Sequence, residues 1–449
     1  MDQNQGERKP RVVLIPCPFQ GHINPMLQLG AALHSKGYSI TIVHTQYNSP
    51  NPSRHPEFDF QSIQDGLAED VIDSGNLLEI ITGLNIKCKH PFQECLEQIV
   101  LRRGQVTCVI YDDLMYFAEA AANNLELPSI ILRTINAATF ASRLAIMHLV
   151  EEGRFPFQDS ALGEPVPDLP LLRFKDLPVS KYNAQDKFLK LIAEACHTRT
   201  SSAVVWNTID CLEQPLLAQL QKQCPVPIFP IGPMHKYAPP SSSSSLLKED
   251  TNCISWLNKQ PEKSVLYVSF GSVVSIQETE IAEMARGLAN SEQKFLWVIR
   301  PGSILGSEWI ELLPKGFLET VGQRGCIVKW APQKQVLAHA AVGGFLTHCG
   351  WNSTLESIAE GVPMICRPNF GDQLVNARYI SHVWGIGLQL ESKLDGEEVA
   401  RAVRRIMVDE KGEEIRVRAK SFKKKIELGM GRGGSSYNAL NKLLEFMSF

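Results

Sequence analysis

The sequence predicts an α/β protein of two domains, each built on a parallel sheet. Three observations predict it. Short apolar runs alternate with helical stretches, as in chains of β-α-β units. The alternation stops once, at a segment rich in Pro and Ser, and then restarts. Polar turns follow the apolar runs, at the strand ends where open α/β sheets collect ligands.

In chain order, a polar leader, MDQNQGERKP, precedes RVVLIPCPF, which reads as a strand buried on both faces. Pro25 is expected to open an amphipathic helix that runs to about Ser35 and ends at Gly37. SITIVH is the second strand. VTCVIY, the helical LMYFAEAAANNL, PSIIL and AVVWNT then continue the alternation. MHKYAPPSSSSSLLKED (Met234 to Asp250) has the composition of a surface linker. Beyond it come SVLYVSF, a helix, KFLWVIR, GCIVKW and GGFLTH. The expected division is an N-terminal domain over 1–236, a linker over 237–250, a C-terminal domain over 251–430 and a last helix over 431–449.

Composition narrows the function. A formal net charge of −3 gives no electrostatic footprint for nucleic acid or an anionic membrane. Lys423-Lys424-Lys425 reads as a solvated helix face. No stretch reaches the apolar length of a membrane span, and the leader lacks the apolar core of a secretory signal, so a cytosolic chain is expected. Eleven scattered cysteines without a CxxC pair resemble reduced thiols more than a disulfide framework or a zinc site.

The richest turn lies in FLTHCGWNSTLESIAEGVPMIC (Phe345 to Cys366), between a strand and a helix. Ser353 and Glu356 fit the capping box S-x-x-E, which predicts a helix start at Ser353; Gly361 and Pro363 predict its end. Such a start presents unpaired N–H groups and partial positive charge to a phosphate, with Gly350 allowing close approach and His348, Asn352 and Ser353 adding donors. A capped β-α turn with Cys349 as a small buried group explains the same residues. Trp330, in KWAPQKQVL, stands at a strand end where an indole can stack on a base, or serve as core. Asp372 and Gln373, in RPNFGDQ, can grip sugar hydroxyls, or Asp372 can cap a helix. YVSFGS adds Gly271 and Ser272. Four polar turns at strand ends exceed what capping requires.

In the amino half, His22 follows the first strand and Asp112 follows VTCVIY. Were those strands neighbours, their ends would lie roughly 5 Å apart, close enough for the carboxylate to accept from the imidazole. An imidazole, half neutral near its ordinary pKa of about 6.5, suits removal of a hydroxyl proton. A cap or a surface group is the structural alternative for His22, and helix capping for Asp112 or Asp113.

WAPQKQVLAHAAVGGFLTHCGWNSTLESIAEGVPMICRPNFGDQ (Trp330 to Gln373) resembles, without gaps, the signature box of plant family-1 UDP-glycosyltransferases. PFQGHINPMLQLG, YDDLMYFAEAAA and WLNKQPEKSVLYVSFGS extend the resemblance along the chain. It implies the GT-B fold, two Rossmann-like domains facing across a cleft, with the donor in the C-terminal domain and the last helix returning to the N-terminal one. It implies Trp330 under uracil with Ala331 and Gln333 at the base edge, Glu356 on the ribose, and His348, Asn352, Ser353 and Ser272 on the diphosphate. Trp351, Asp372 and Gln373 would contact the sugar; the Gln at 373 points to UDP-glucose, while Asn369 departs from the residue types common at its position. His22 would be the general base, Asp112 its acidic partner, and Thr134 resembles a sugar-contacting threonine.

The chemistry expected is inverting transfer of glucose from UDP-glucose, a co-substrate, to a hydroxyl of a small lipophilic acceptor. A flavonoid or other phenolic is favoured; a terpenoid glycoside or a hormone such as a cytokinin is the alternative. Phe19, Met115 and Phe117 would lie near such an acceptor, though helix-face packing explains Met115 and Phe117 equally well. No D-x-D pair is present, and His339, His348 and Cys349 lack a second ligand cluster, so no metal and no cofactor are expected. The expected partners are the UDP-sugar and the acceptor alone, with a monomeric chain. A nicotinamide oxidoreductase is disfavoured, because PCPFQGHINP lacks G-x-G-x-x-G. A non-catalytic nucleotide-sugar or hormone sensor is disfavoured by the presence of both His22 and Asp112.

Overall fold

The computed structural model describes residues 9–103, 105–179, 185–237, 245–391 and 394–448. The leader through residue 8 and the centre of the expected linker, 238–244, lie outside the described residues. Contacts divide the chain into two units. Unit 1 comprises Met1–Phe155, Tyr182–Leu246 and Gly429–Phe449; unit 2 comprises Pro156–Lys181 and Leu247–Leu428. The division therefore does not follow a single cut at the linker. Pro156–Lys181 groups with unit 2, where Arg173 meets Asp176 and Glu391 and the Arg378 guanidinium donates to the Leu171 carbonyl.

The chain forms β1 (Arg11–Ile15), β2 (Ser39–Thr45), β3 (Asp59–Ile63), β4 (Val106–Asp112) and β5 (Ser129–Arg133) in unit 1. A small antiparallel hairpin, β6 (Pro165–Val166) and β7 (Leu169–Arg173), follows in unit 2, and then β8 (Ala203–Trp206) and β9 (Ile228–Pro230) in unit 1. The unit 1 sheet is parallel, in the order β3-β2-β1-β4-β5-β8-β9. β1, β4, β5 and β8 read as apolar runs because they are buried in the middle of this sheet. One face carries Leu14, Ile110, Leu132 and Val205, covered by Ile23, Met26 and Leu27 of the helix Gln20–Ser35. Ala439, Leu440, Leu443 and Met447 of the last helix, Ser435–Met447, pack into the same core.

Unit 2 continues with β10 (Val265–Ser269), β11 (Lys294–Val298), β12 (Gly325–Val328), β13 (Val342–Thr347), β14 (Met364–Cys366) and β15 (Gly387–Gln389). Its sheet is also parallel, in the order β12-β11-β10-β13-β14-β15. Leu266, Val268, Trp297 and Leu346 pack beneath Ile281, Met284, Leu288, Val399 and Val403 of the helices Glu278–Asn290 and Gly396–Met407.

Both sheets reverse their strand order once, between β1 and β4 in unit 1 and between β10 and β13 in unit 2. At such a reversal the helices leave on opposite faces and open a crevice outside the strand ends. His22 follows β1 and Asp112 ends β4; Ser272 follows β10 and His348 follows β13.

Two helix starts differ from expectation. The first helix begins at Gln20, not at Pro25, because the His22 and Ile23 N–H groups both bond the Phe19 carbonyl. The helix nucleates upstream, and Pro25 inside it costs one backbone donor. His22 thereby sits in a helical first turn. The helix after β13 begins at Trp351 with Gly350 as N-cap, not at Ser353, and no side chain caps it. The Ser353–Glu356 capping box does not form: Ser353 already lies inside the helix, and Glu356 accepts from Gln333.

Candidate active site

In unit 1, β4 carries Asp112 to a fully buried position. Its Oδ1 accepts the Leu114 N–H at 3.0 Å, and its Oδ2 lies 2.8 Å from His22 Nδ1. A carboxylate oxygen only accepts, so the Nδ1 carries the proton and Nε2 is the basic nitrogen. Thr134, one residue beyond β5, places Oγ1 3.0 Å from the same Nδ1. The imidazole is thus held between a carboxylate and a hydroxyl, with its side chain 20% exposed. Thr134, which the family resemblance assigned to the sugar, contacts the His22 ring. Asp113, adjacent to Asp112, turns instead to Arg143, with Nη1 3.5 Å from Oδ2.

Cys17, His22 and Asp112 bring three potential ligand atoms within 4.8 Å of one another. Burial, with Asp112 and Asp113 nearby, pushes the Cys17 thiol well up, so it favours the protonated form that does not ligate metals. Phe19 meets the edge of Tyr47, whereas Met115 is fully buried and Phe117 packs on Phe92, which makes the last two core residues.

In unit 2, the turn after β13 is shaped around one ring. Cys349 is buried in the left-handed region at φ 66°, a conformation that costs a non-glycine residue about 1–3 kcal/mol. Its N–H donates to Thr347 Oγ1 at 3.1 Å. A Cβ on Gly271 or on Gly350 would fall 2.6 Å from the His348 ring, so glycine at both positions is what admits the imidazole. His348 Nδ1 is buried without a hydrogen-bond partner among the described residues. Burial, offset in part by a hydrogen bond to the Ser269 backbone, lowers its pKa to about 4. The ring is neutral near pH 7 and brings no positive charge to the turn. Beside it opens the N-terminus of the ten-residue helix Trp351–Glu360.

Gln333 draws the neighbouring turns together. Its Nε2 donates to Glu356 Oε2 at 2.7 Å and to Ser353 Oγ at 3.0 Å, while Tyr267 Oη donates to its Oε1 at 3.2 Å. Tyr267 is the site residue that sequence reasoning missed, since it stands inside an apolar strand with nothing local to mark it. Trp330 follows β12, partly exposed, and its carbonyl accepts the Asp250 N–H at 2.9 Å; Ala331 beside it is buried. Ser272 and Asn352 are partly exposed at the turns after β10 and β13. Asp372, in the first turn of Asp372–Arg378, accepts from Asn376 at 2.9 Å, and the Gln373 carbonyl oxygen accepts the Asn369 N–H at 2.9 Å. Trp351 is turned inward, 3% exposed, beside Trp384.

Two parallel-sheet units, each gathering polar groups at its switch point, define a two-domain α/β protein of the Rossmann-like class. Residues 240–424 match the family model described as UDP-glucoronosyl and UDP-glucosyl transferase. The chain is 49% identical over 98% of its length to UDP-glycosyltransferase 76E1 of Solanum lycopersicum, covering 93% of that protein. It is also 49% identical to flavonol 3-O-glucosyltransferase UGT76E12 of Arabidopsis thaliana, over 98% of both. Among solved structures, UDP-glucose: anthocyanidin 3-O-glucosyltransferase in complex with UDP aligns with a TM-score of 0.83 at 27% identity, over 98% of this chain and 99% of that one. Phytolacca americana UGT2, complexed with UDP-2fluoro-glucose and pterostilbene, aligns with a TM-score of 0.82 at 26% identity, over 98% and 100%. The chain belongs to the plant family-1 UDP-glycosyltransferases. Among the described residues no helix is long and apolar enough to cross a membrane.

The contact between Thr134 and His22 makes a specific prediction. Thr134→Val should lower kcat about 2- to 10-fold, the worth of one neutral hydrogen bond, and leave the KM for the UDP-sugar unchanged. Steady-state kinetics in both substrates checks this; a raised sugar KM with unchanged kcat would place Thr134 on the donor instead.

Proposed function

We propose that this enzyme transfers glucose from UDP-glucose to a hydroxyl of a small lipophilic acceptor, a flavonoid or other phenolic, giving a β-glucoside. The observation that carries the reading is the 2.8 Å contact between His22 and Asp112 at the switch point of the unit 1 sheet. The flavonol 3-O-glucosyltransferase relative supports the acceptor class, and the UDP-bound neighbours support the donor.

In this mechanism Nε2 of His22 takes the acceptor hydroxyl proton as the oxygen attacks the anomeric carbon. The new C–O bond forms opposite the breaking bond to UDP, so the α-linked sugar becomes a β-glucoside. Asp112 holds the Nδ1–H tautomer and stabilises the imidazolium as it forms. UDP leaves as an anion, and the positive end of the helix that starts at Trp351 meets its charge. Trp330 is the stacking surface for uracil, with Ala331 at the base edge. Glu356, positioned by Gln333, takes the ribose hydroxyls, and Ser272, His348, Asn352 and Ser353 take the diphosphate. Asp372 and Gln373 take the glucose, with Trp351 packed behind them. Because the His348 ring is neutral, recognition of the phosphates rests on N–H donors and the helix dipole, with no need for a cation. The reading needs no metal and no resident cofactor. It places the enzyme in the cytosol as a monomer, and the eleven free thiols fit a reducing compartment.

The test is UDP release from UDP-glucose against flavonols, simple phenolics, cytokinins and terpenoid glycosides, with and without EDTA. Flavonol or phenol turnover that EDTA leaves unchanged, with a β-anomeric product by NMR, is expected. Turnover confined to cytokinins or terpenoid glycosides would overturn the acceptor class; loss of activity in EDTA would overturn the metal-free mechanism.

A further inference from the structure

Beside the His22–Asp112 pair lies a second charged group that the proposed transfer does not use. Arg133 ends β5, 2% exposed, immediately before Thr134. Its guanidinium carbon sits 3.5 Å from the centre of the Phe140 ring and 5.0 Å from that of Trp206. Its Nε is buried without a hydrogen-bond partner among the described residues. Arg143, one turn further along the same helix as Phe140, keeps 14% of its side chain exposed and reaches Asp113 at 3.5 Å, the outer limit of such a contact.

A buried guanidinium without a carboxylate is costly, and stacking on aromatic faces recovers only part of that cost. Two guanidiniums here share one acid. Among the described residues Asp112 pairs with neither, its oxygens holding His22 and the Leu114 N–H. Asp113 is a weak holder: burial first, and Asp112 second, push its carboxyl up to about 6. Arg143, partly exposed and held by Asp113 only at the outer limit of contact, is therefore open to one more anion.

We infer that Arg143, backed by Arg133, is a carboxylate subsite, so that preferred acceptors carry an acid group besides the hydroxyl offered to His22. This rests on the glucosyl-transfer reading for its role, but the binding it claims can be measured without turnover. A carboxylate reaching the partly exposed Arg143 would displace Asp113 as its partner and make the short, charge-assisted contact that Asp113 does not. Placing the acid there fixes the direction from which the hydroxyl approaches Nε2.

The test compares para-hydroxycinnamate with its methyl ester, by calorimetry without UDP-glucose and by UDP release with it. The acid is expected to bind about 10- to 100-fold more tightly than the ester. Arg143→Gln should remove that preference and leave the ester unchanged, and Arg143→Lys should restore part of it. Arg133→Met tests the supporting role, with circular dichroism to confirm folding. Equal binding of acid and ester by the unaltered enzyme, or an equal loss for both in Arg143→Gln, would overturn the subsite. If the acid binds with this preference but no UDP is released from any acceptor, the subsite stands and the transfer reading falls. If neutral phenols turn over without discrimination, the transfer reading stands and the subsite falls.

Discussion

Replacing His22 with alanine is expected to lower kcat by about 10²- to 10⁴-fold, the usual worth of a positioned general base, without changing the affinity for UDP. The expectation follows from where the ring is held. Its Nδ1 is occupied by Asp112 and Thr134, and its side chain keeps the 20% exposure that a base facing substrate needs. Unit 2 carries the groups assigned to UDP, so the alanine variant should titrate UDP like the parent enzyme. Asp112→Asn should reproduce most of the kcat loss, because an amide can donate to Nδ1 and so stabilise the tautomer with its proton on Nε2. Single-turnover measurement separates chemistry from release. An unchanged chemical step in the His22 variant would remove the imidazole from the mechanism.

Gly271→Ala is expected to raise the KM for UDP-glucose by more than about tenfold while leaving the acceptor KM unaltered. Two penalties coincide at this position. The backbone is left-handed at φ 73°, which costs an L-residue about 1–2 kcal/mol. The new methyl would fall 2.6 Å from two atoms of the His348 ring, an overpacking worth about 1–3 kcal/mol. Either the ring moves or the strand-end turn does, and both disturb the groups assigned to the diphosphate. Gly350→Ala meets the same ring at 2.6 Å but has an ordinary φ of −60°, so its effect should be smaller. Urea unfolding and UDP calorimetry on both variants check the order; parental UDP affinity in Gly271→Ala would detach His348 from the donor site.

His348 also sets a pH dependence whose sign is fixed. Its folded pKa of about 4 lies below the ordinary value of about 6.5, so protons bind the unfolded chain preferentially. The stability associated with the neutral ring is present above about pH 6.5 and is lost as pH falls towards 4. Replacing His348 with Gln should flatten that part of the pH–stability curve.

Much of this was legible in the sequence where the information is local. The central strands declare themselves as apolar runs, and the polar residues His22, Asp112, Ser272 and His348 stand at strand ends or a few residues beyond them. The sequence does not state which strands are neighbours. That β1 pairs with β4 turns His22 and Asp112 from two candidates into a hydrogen-bonded pair. Strands without an apolar run were not seen: β3, with the sequence DFQSI, lies at the sheet edge, where partly exposed polar side chains are tolerated. Local rules misled at Pro25 and at the Ser353–Glu356 box, because longer-range partners decided both. The Phe19 carbonyl nucleates a helix ahead of the proline, and Gln333, twenty residues before Ser353, takes the glutamate. Tyr267, Arg133 and Arg143 carried no local signal at all, since a single polar group in an apolar stretch acquires meaning only from what packs over it.

The last helix groups with unit 1 although it follows unit 2 in the chain, so the first strand and the last helix belong to the same unit. A deletion mutant stopping near residue 428 would strip an apolar lid from the half that comes first, exposing the sheet against which Leu440 and Leu443 pack. Chimaeras between relatives inherit the same constraint. An exchange of unit 2 that also takes the tail grafts a foreign helix onto unit 1, so the splice belongs before Gly429 rather than after the last helix.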